Sequence, residues 1–194
     1  MNGLVLRGGK SQRMGFDKAL IDYHGLPQKN YTFQLLQPKC HQTFVSINPQ
    51  QSEELPAITD TFIGLGPLSG ILSAFMQNPN AAWLVVACDL PYLTDKTLDF
   101  LIQNRNSSKI ATAFVSPTFS GEEQAFPEPL ITIYEPKAYP ILMQMLSLGI
   151  DCPRKTLINF DIELVQLPEP KEVFNANTPS EHQKAIIDLS PKIT

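Results

Sequence analysis

The thirteen residues Leu6-Arg7-Gly8-Gly9-Lys10-Ser11-Gln12-Arg13-Met14-Gly15-Phe16-Asp17-Lys18 hold the side-chain types that a triphosphate site needs. Glycines let backbone N–H groups turn inward with no Cβ in the way, and several converging amides form a nest for phosphate oxygens. Lys10, Arg13 and Lys18 add positive charge, and Ser11 adds a hydroxyl donor. Spacing excludes two familiar phosphate loops. A Walker A loop would need glycine at position 4, ahead of Gly9-Lys10-Ser11, and that position is Leu4; no G-x-G-x-x-G spacing begins at Gly8 or Gly9. The glycines alone fit a flexible basic turn equally well, but three cations and a serine within a few residues favour phosphate binding.

Asp89 follows the apolar run Trp83-Leu84-Val85-Val86-Ala87, so it falls at the carboxyl end of a buried strand. Ligands of open α/β sheets bind along that edge. One carboxylate there suits Mg2+, which takes its remaining ligands from substrate phosphates and water; Asp89-Leu90-Pro91 is equally a common turn composition. Asn175 and Asn177 precede a helix start, where simple turn chemistry also explains them.

The elements that must position these groups read as alternating strands and helices, an α/β pattern. Strands are expected at Gly3 to Leu6, Thr43 to Ile47, Trp83 to Ala87, Ile110 to Val115, Leu130 to Tyr134 and Glu163 to Leu167. The unbroken apolar character of Trp83 to Ala87 marks a strand covered on both faces of a parallel sheet. Helices are expected from about Pro27, from Gly66-Pro67, from Thr94, across Ala138 to Leu146, and from Thr178-Pro179-Ser180-Glu181. The last carries a capping threonine, proline at the first position and glutamate three on from the cap. Ser116 to Pro129 is polar and reads as a loop. Nothing suggests a linker or a repeat, so residues 1–194 are taken as one domain.

A net charge of -4 disfavours a protein that coats nucleic acid. The three cysteines, Cys40, Cys88 and Cys152, lack metal spacing and suit a reduced compartment. No targeting segment is visible and the longest apolar run, Ala81 to Cys88, is far short of a membrane span. A cytoplasmic protein is expected. His24, His41 and His182 form no ligand set and are expected on the surface.

The loop L-x-G-G-x-S-x-R-M-G-x-D-K resembles the signature of nucleotidyltransferases of the molybdenum cofactor guanylyltransferase (MobA) type. Further blocks follow in the same order: Gly66-Pro67-Leu68-Ser69-Gly70, Ala87-Cys88-Asp89-Leu90-Pro91, Glu128-Pro129-Leu130 and Asn175-Ala176-Asn177-Thr178-Pro179. The resemblance implies a single three-layer Rossmann-like nucleotidyltransferase domain with a mostly parallel central sheet. It implies transfer of GMP from GTP to molybdopterin, with Mg2+ and release of pyrophosphate, and transient partners that deliver or receive the cofactor. The nucleotide would meet Leu6, Gly8, Gly9, Lys10, Ser11, Lys18, Asn48, Asp60 and Asp89; the last would hold the metal with Asn177. Arg13, Lys18 and Asp89 would be catalytic, and Asn175, Asn177 and Arg154 would face the acceptor. Asp60 is equally readable as a surface-turn aspartate, and Arg154-Lys155 as a solvated pair, since their spacing after Gly149 is longer than the family's. Relatives place a small residue where this chain has Arg7, which could crowd the base pocket, swing to solvent or contact phosphate. Two alternatives stay open: a cytidylyltransferase or other NTP transferase with a different phosphorylated acceptor, and a nucleotide-binding module without catalysis.

Overall fold

The structure, a computed structural model, describes residues 1–7, 18–116, 126–167 and 169–190. Its frame is a seven-stranded sheet made of β1 (Asn2–Leu6), β2 (Thr43–Ile47), β3 (Ala57–Thr59), β4 (Trp83–Ala87), β5 (Ala111–Val115), β6 (Pro127–Tyr134) and β7 (Glu163–Val165). The strand order is β3-β2-β1-β4-β6-β5-β7. β1 pairs in parallel with β2 and β4, as β2 does with β3 and β5 with β7. Only β6, running antiparallel between β4 and β5, breaks the direction. The sheet is thus mostly parallel and the architecture Rossmann-like.

Both faces are covered, because each central strand is apolar at successive positions. On one face Leu84 and Val86 of β4 pack with Val5, Val45, Phe33 and Leu36 of α1 (Gln28–Leu36), and Leu98 and Leu101 of α3 (Asp95–Gln103). On the other, Trp83, Val85 and Ala87 meet Leu68, Ile71, Leu72 and Phe75 of α2 (Pro67–Gln77), and Leu142 of α4 (Ala138–Ser147). Leu157 of α5 (Pro153–Asn159) joins that second layer. Full burial of each such side chain contributes roughly 1.5–3 kcal/mol. The last helix, α6 (Pro179–Leu189), starts with the expected capping box: Thr178 accepts from Glu181 N–H while the Glu181 carboxylate accepts from the cap backbone. Thr94 caps α3 by accepting from Thr97 N–H.

Three local readings are corrected. The segment expected to stay a loop as far as Pro129 is already β-strand from Pro127, because β4 and β5 both pair with it. β3 and α5 were not foreseen; three and seven residues carry too little periodicity to announce an element. The histidines are not uniformly superficial. His41 is exposed. His24 is half-buried, stacked on Tyr31 at 3.7 Å and donating from Nε2 to the Pro91 carbonyl. His182 is buried and hydrogen-bonded through Nδ1 to the Tyr23 hydroxyl, since its position on α6 turns inward to a small cluster around Tyr23, Tyr92 and Ala185.

Candidate active site

The carboxyl ends of β1, β2 and β4 lie side by side, and the chain leaves each of them toward one cleft. A cavity of about 130 Å³ there is lined by Leu6 and Arg7 after β1, Ser46 and Asn48 at the end of β2, and Cys88 and Asp89 after β4. Lys18, Asp60 and Leu130 complete its wall. A second cavity of about 410 Å³ adjoins it, sharing Asn48, Asp60 and Gly66 and adding Phe62, Ile63 and Ser69. Gly66 reaches this position at φ 58°, a conformation that needs glycine, and hands directly into Pro67 at the start of α2.

Asp89 is the deepest charge. Burial raises its pKa, opposed by a hydrogen bond from Asn175 and by the charge of Lys18. The segment before α6 is pinned against it, with Ala176 N–H donating to the Asp89 carbonyl at 3.0 Å. Lys18 fastens the same segment from the other side, donating to Asn177 Oδ1 at 3.1 Å and to the Ala176 carbonyl at 3.4 Å. A carboxylate only accepts, so Asn175 spends its amide N–H on Asp89. Asp89 Oδ1 and Asn175 Oδ1 are both buried without a hydrogen-bond partner. Two orphaned oxygens, one of them a carboxyl oxygen, fit a hard divalent cation. Among the described residues no cluster of three or more His, Cys, Asp or Glu could form a cage of its own, so such an ion would be shared with substrate oxygens.

Asp60 follows β3 and accepts a hydrogen bond from Ser46 Oγ at 2.7 Å. Burial pushes its carboxyl up to about 6, against the opposing effect of that hydroxyl. Asn48 uses its side chain locally, accepting from Gln50 N–H at 2.9 Å. Close packing holds this corner: a Cβ on Gly70 of α2 would lie 2.7 Å from Leu6 Cδ2 and run into Ser46 Oγ.

A cleft built this way, at the carboxyl edge of a Rossmann-like sheet, accords with the comparison to known proteins. The model of the MobA-like NTP transferase domain matches residues 3–159. The chain belongs to the MobA-like NTP transferase family. A protein named molybdenum cofactor biosynthesis bifunctional protein, from Synechocystis sp., is 37% identical over 93% of this chain, which spans 52% of that relative's length. One named probable molybdenum cofactor guanylyltransferase, from Carboxydothermus hydrogenoformans, is 32% identical, with 97% of this chain and 96% of the relative aligned. The crystal structure of molybdopterin-guanine dinucleotide biosynthesis protein A from Archaeoglobus fulgidus superposes with a TM-score of 0.77 at 22% identity, covering 98% of this chain and 99% of that one. The last comparison establishes the shared fold.

Within this MobA-like chain the sequence-expected residues divide clearly. Leu6, Lys18, Asn48, Asp60 and Asp89 line one cavity, and Asn175 and Asn177 are fastened to Asp89 and Lys18. Gly8, Gly9, Lys10, Ser11 and Arg13 lie outside the described residues. Arg154, on α5, bonds Glu128 Oε2 at 3.2 Å. Glu128 itself was not singled out, although the block Glu128-Pro129-Leu130 was the available signal.

Arg7 lines the same cavity and is held to the protein surface rather than swinging to solvent. Its guanidinium donates to the Ser52 carbonyl at 3.0 Å and to Glu53 Oε2 at 3.3 Å. Glu53 is fully covered and also holds Lys29 of α1 at 2.5 Å. The large side chain is therefore accommodated by a buried carboxylate that it shares with a second cation. Arg7→Ala should lower stability by about 1–2 kcal/mol, with a coupling of about 1 kcal/mol to Glu53→Ala in a double-mutant cycle of urea unfolding. Additive losses would show that the pair does not act as a unit.

Proposed function

We propose that this chain, as a single domain, transfers GMP from GTP to the terminal phosphate of molybdopterin, with Mg2+ and release of pyrophosphate. The observation that carries this reading is the pair of orphaned buried oxygens on Asp89 and Asn175, set beside Lys18 at the cleft where the carboxyl ends of β1, β2 and β4 meet. The guanylyltransferase name of a relative matched end to end supports the choice of base and acceptor. A cytoplasmic setting, and transient partners that supply or take the cofactor, belong to the same proposal; among the described residues no helix is long and apolar enough to cross a membrane.

The chemistry is an in-line displacement at the α-phosphorus of GTP. An oxygen of the acceptor phosphate forms the new P–O bond, the bond to the β-phosphate bridge breaks, and pyrophosphate leaves with the electron pair. A phosphate monoester is already an anion near neutral pH, so no strong base is required and catalysis reduces to alignment and charge neutralisation. Asp89 and Asn175 would hold Mg2+, which when bound screens the phosphate charges; Asn177, expected as the second ligand, has its Oδ1 taken by Lys18 instead. Lys18 exchanges its present contact with Asn177 for a phosphate oxygen. Asp60 accepts from the guanine edge, held in place by Ser46. Pyrophosphate release should therefore need GTP and molybdopterin together. Release with CTP instead would move the protein to the cytidylyltransferase reading, and binding without release would favour the non-catalytic one.

Asp60 gives this reading a pH signature. As an acceptor it must be ionised, so GTP affinity should fall about tenfold per pH unit below about 6. Ser46→Ala removes the hydroxyl that opposes the raised pKa and should move the midpoint upward. GTP titrates too, but equally in both proteins, so the displacement between their profiles is the measurement. The stability sign is opposite. The folded pKa exceeds the unfolded one, so the folded state binds more protons between roughly pH 4 and 6, and the Asp60 contribution turns unfavourable as pH rises through that window. Overlapping affinity profiles would remove Asp60 from base recognition.

A further inference from the structure

Asp89 opens a stretch, residues 89–93, that belongs to neither β4 nor α3, so no regular ladder holds it. Donors from elsewhere in the chain take its carbonyls instead. Ala176 N–H meets the Asp89 carbonyl at 3.0 Å, and Gln28 Nε2 the Leu90 carbonyl at 3.1 Å. His24 Nε2 meets the Pro91 carbonyl at 2.9 Å, and the Tyr31 hydroxyl the Leu93 carbonyl at 3.0 Å. Three of these four donors are side chains of one short segment, the entry and first turn of α1.

That segment is itself braced. Asp22 Oδ1 accepts from the N–H groups of His24 and Gly25, at 3.0 and 2.6 Å, and Gln28 N–H closes on the Ile21 carbonyl at 2.8 Å. Gly25 makes the turn at φ 82°, and His24 lies flat on Tyr31 with 3.7 Å between ring centres. Lys18 begins the same segment, and the Tyr23 hydroxyl ties it to His182 of α6. Side chains at 24, 28 and 31 therefore set the carboxylate of the cleft relative to its cation.

Gln28 shows that stability is not the reason for this arrangement. Its side chain is fully buried and its Oε1 has no hydrogen-bond partner, a standing cost to the fold. The Leu90 carbonyl also accepts from Leu93 N–H at 3.3 Å, so it would not be stranded without Gln28. A leucine of similar volume would fill the same space without an orphaned oxygen. What only Gln28 supplies is a directed donor that fixes the peptide next to Asp89.

We propose that Gln28 and His24 are positioning residues that hold the Asp89 carboxylate in place for a divalent cation, acting through the Leu90 and Pro91 carbonyls. This rests on the reading that Asp89 binds a metal shared with substrate phosphates.

The test uses Mn2+ as the probe, titrated by electron paramagnetic resonance with GTP present, alongside urea unfolding and steady-state kinetics with GTP and molybdopterin. Gln28→Leu should be as stable as the parent or more so, yet bind Mn2+ about tenfold more weakly. Its kcat should fall about tenfold, with the KM for GTP within about twofold. A purely structural role gives the reverse, lost stability at parental Mn2+ affinity, and that result overturns the assignment, as does a variant that matches the parent throughout. His24→Phe keeps the ring stack and loses the donor, whereas His24→Gln loses the stack and keeps an N–H. Mn2+ binding should weaken in the first and recover in the second; equal losses would make the stack the contribution of His24 and overturn its part. Should His24→Phe fail to fold, Gln28→Leu decides. A parent that holds Mn2+ with GTP but transfers nothing to molybdopterin defeats the transfer reading, and the Mn2+ titrations still judge this inference. A parent that holds no Mn2+ defeats both.

Discussion

Replacing Asp89 with asparagine should lower turnover by about a thousandfold or more, while GTP binding stays within about tenfold of the parent and the protein becomes no less stable. The three outcomes share one cause. Asp89 is buried, and its burial outweighs the stabilising effects of Asn175 and Lys18, so its pKa is raised. At neutral pH, above the unfolded value, keeping that carboxylate charged costs folding energy. Asparagine removes the charge and keeps an oxygen for the Asn175 amide. It also removes a carboxyl oxygen of Asp89 that is buried without a partner, and with it the hold on the metal that the proposed mechanism shares with substrate phosphates. Steady-state kinetics, nucleotide titration and thermal unfolding on one preparation separate these effects. Lost turnover at raised or equal Tm marks a functional carboxylate that weakens the fold. Lost turnover with lost stability would make Asp89 a structural turn residue, and retained turnover would remove it from the mechanism.

Gly70→Ala should destabilise the protein by roughly 2–3 kcal/mol and raise the KM for GTP about tenfold. Helix propensity alone predicts the opposite sign, a gain of about 1 kcal/mol for alanine inside a helix. Packing decides, because the new methyl would lie 2.7 Å from Leu6 Cδ2 and would also strike the Ser46 side chain. Ser46 is the residue that hydrogen-bonds Asp60, and Leu6 lines the same cavity as Asp60. The damage therefore reaches from the α2–sheet contact into the site. Urea unfolding reads the first effect and GTP saturation kinetics the second. A more stable variant would mean that α2 can lift off the sheet at little cost, and that its close approach does not shape the cleft.

Both substitutions act where strand ends and helix starts meet. That meeting was partly legible in the chain. The continuous apolar run Trp83 to Ala87 predicted a strand covered on two faces, and so placed Asp89 at the ligand-binding edge. Thr178, Pro179 and Glu181 marked the start of α6 because capping is written in neighbouring residues. The Gly66-Pro67 boundary and the apolar face of α2 were equally local signals. The order of the motif blocks pointed to the family that comparison with the MobA-like domain then established.

What the chain alone could not decide were the partners that each charge finds across the fold. Arg7 meets Glu53 at a separation of 46 residues, and Arg154 meets Glu128 at 26. Tyr23 and His182 are 159 apart. No periodicity links such positions, because side-chain pairing at that range is set by which strands become neighbours. The antiparallel insertion of β6 beside β4 is the decisive case. Sequence order would not seat the sixth strand between the fourth and fifth, yet that placement alone brings Glu128 to the edge occupied by Asp89. Local composition determined the elements, their caps and the candidate residues. Sheet order, a global outcome of burying both faces at once, decided which of those residues share a cleft and which charges are neutralised before a substrate arrives.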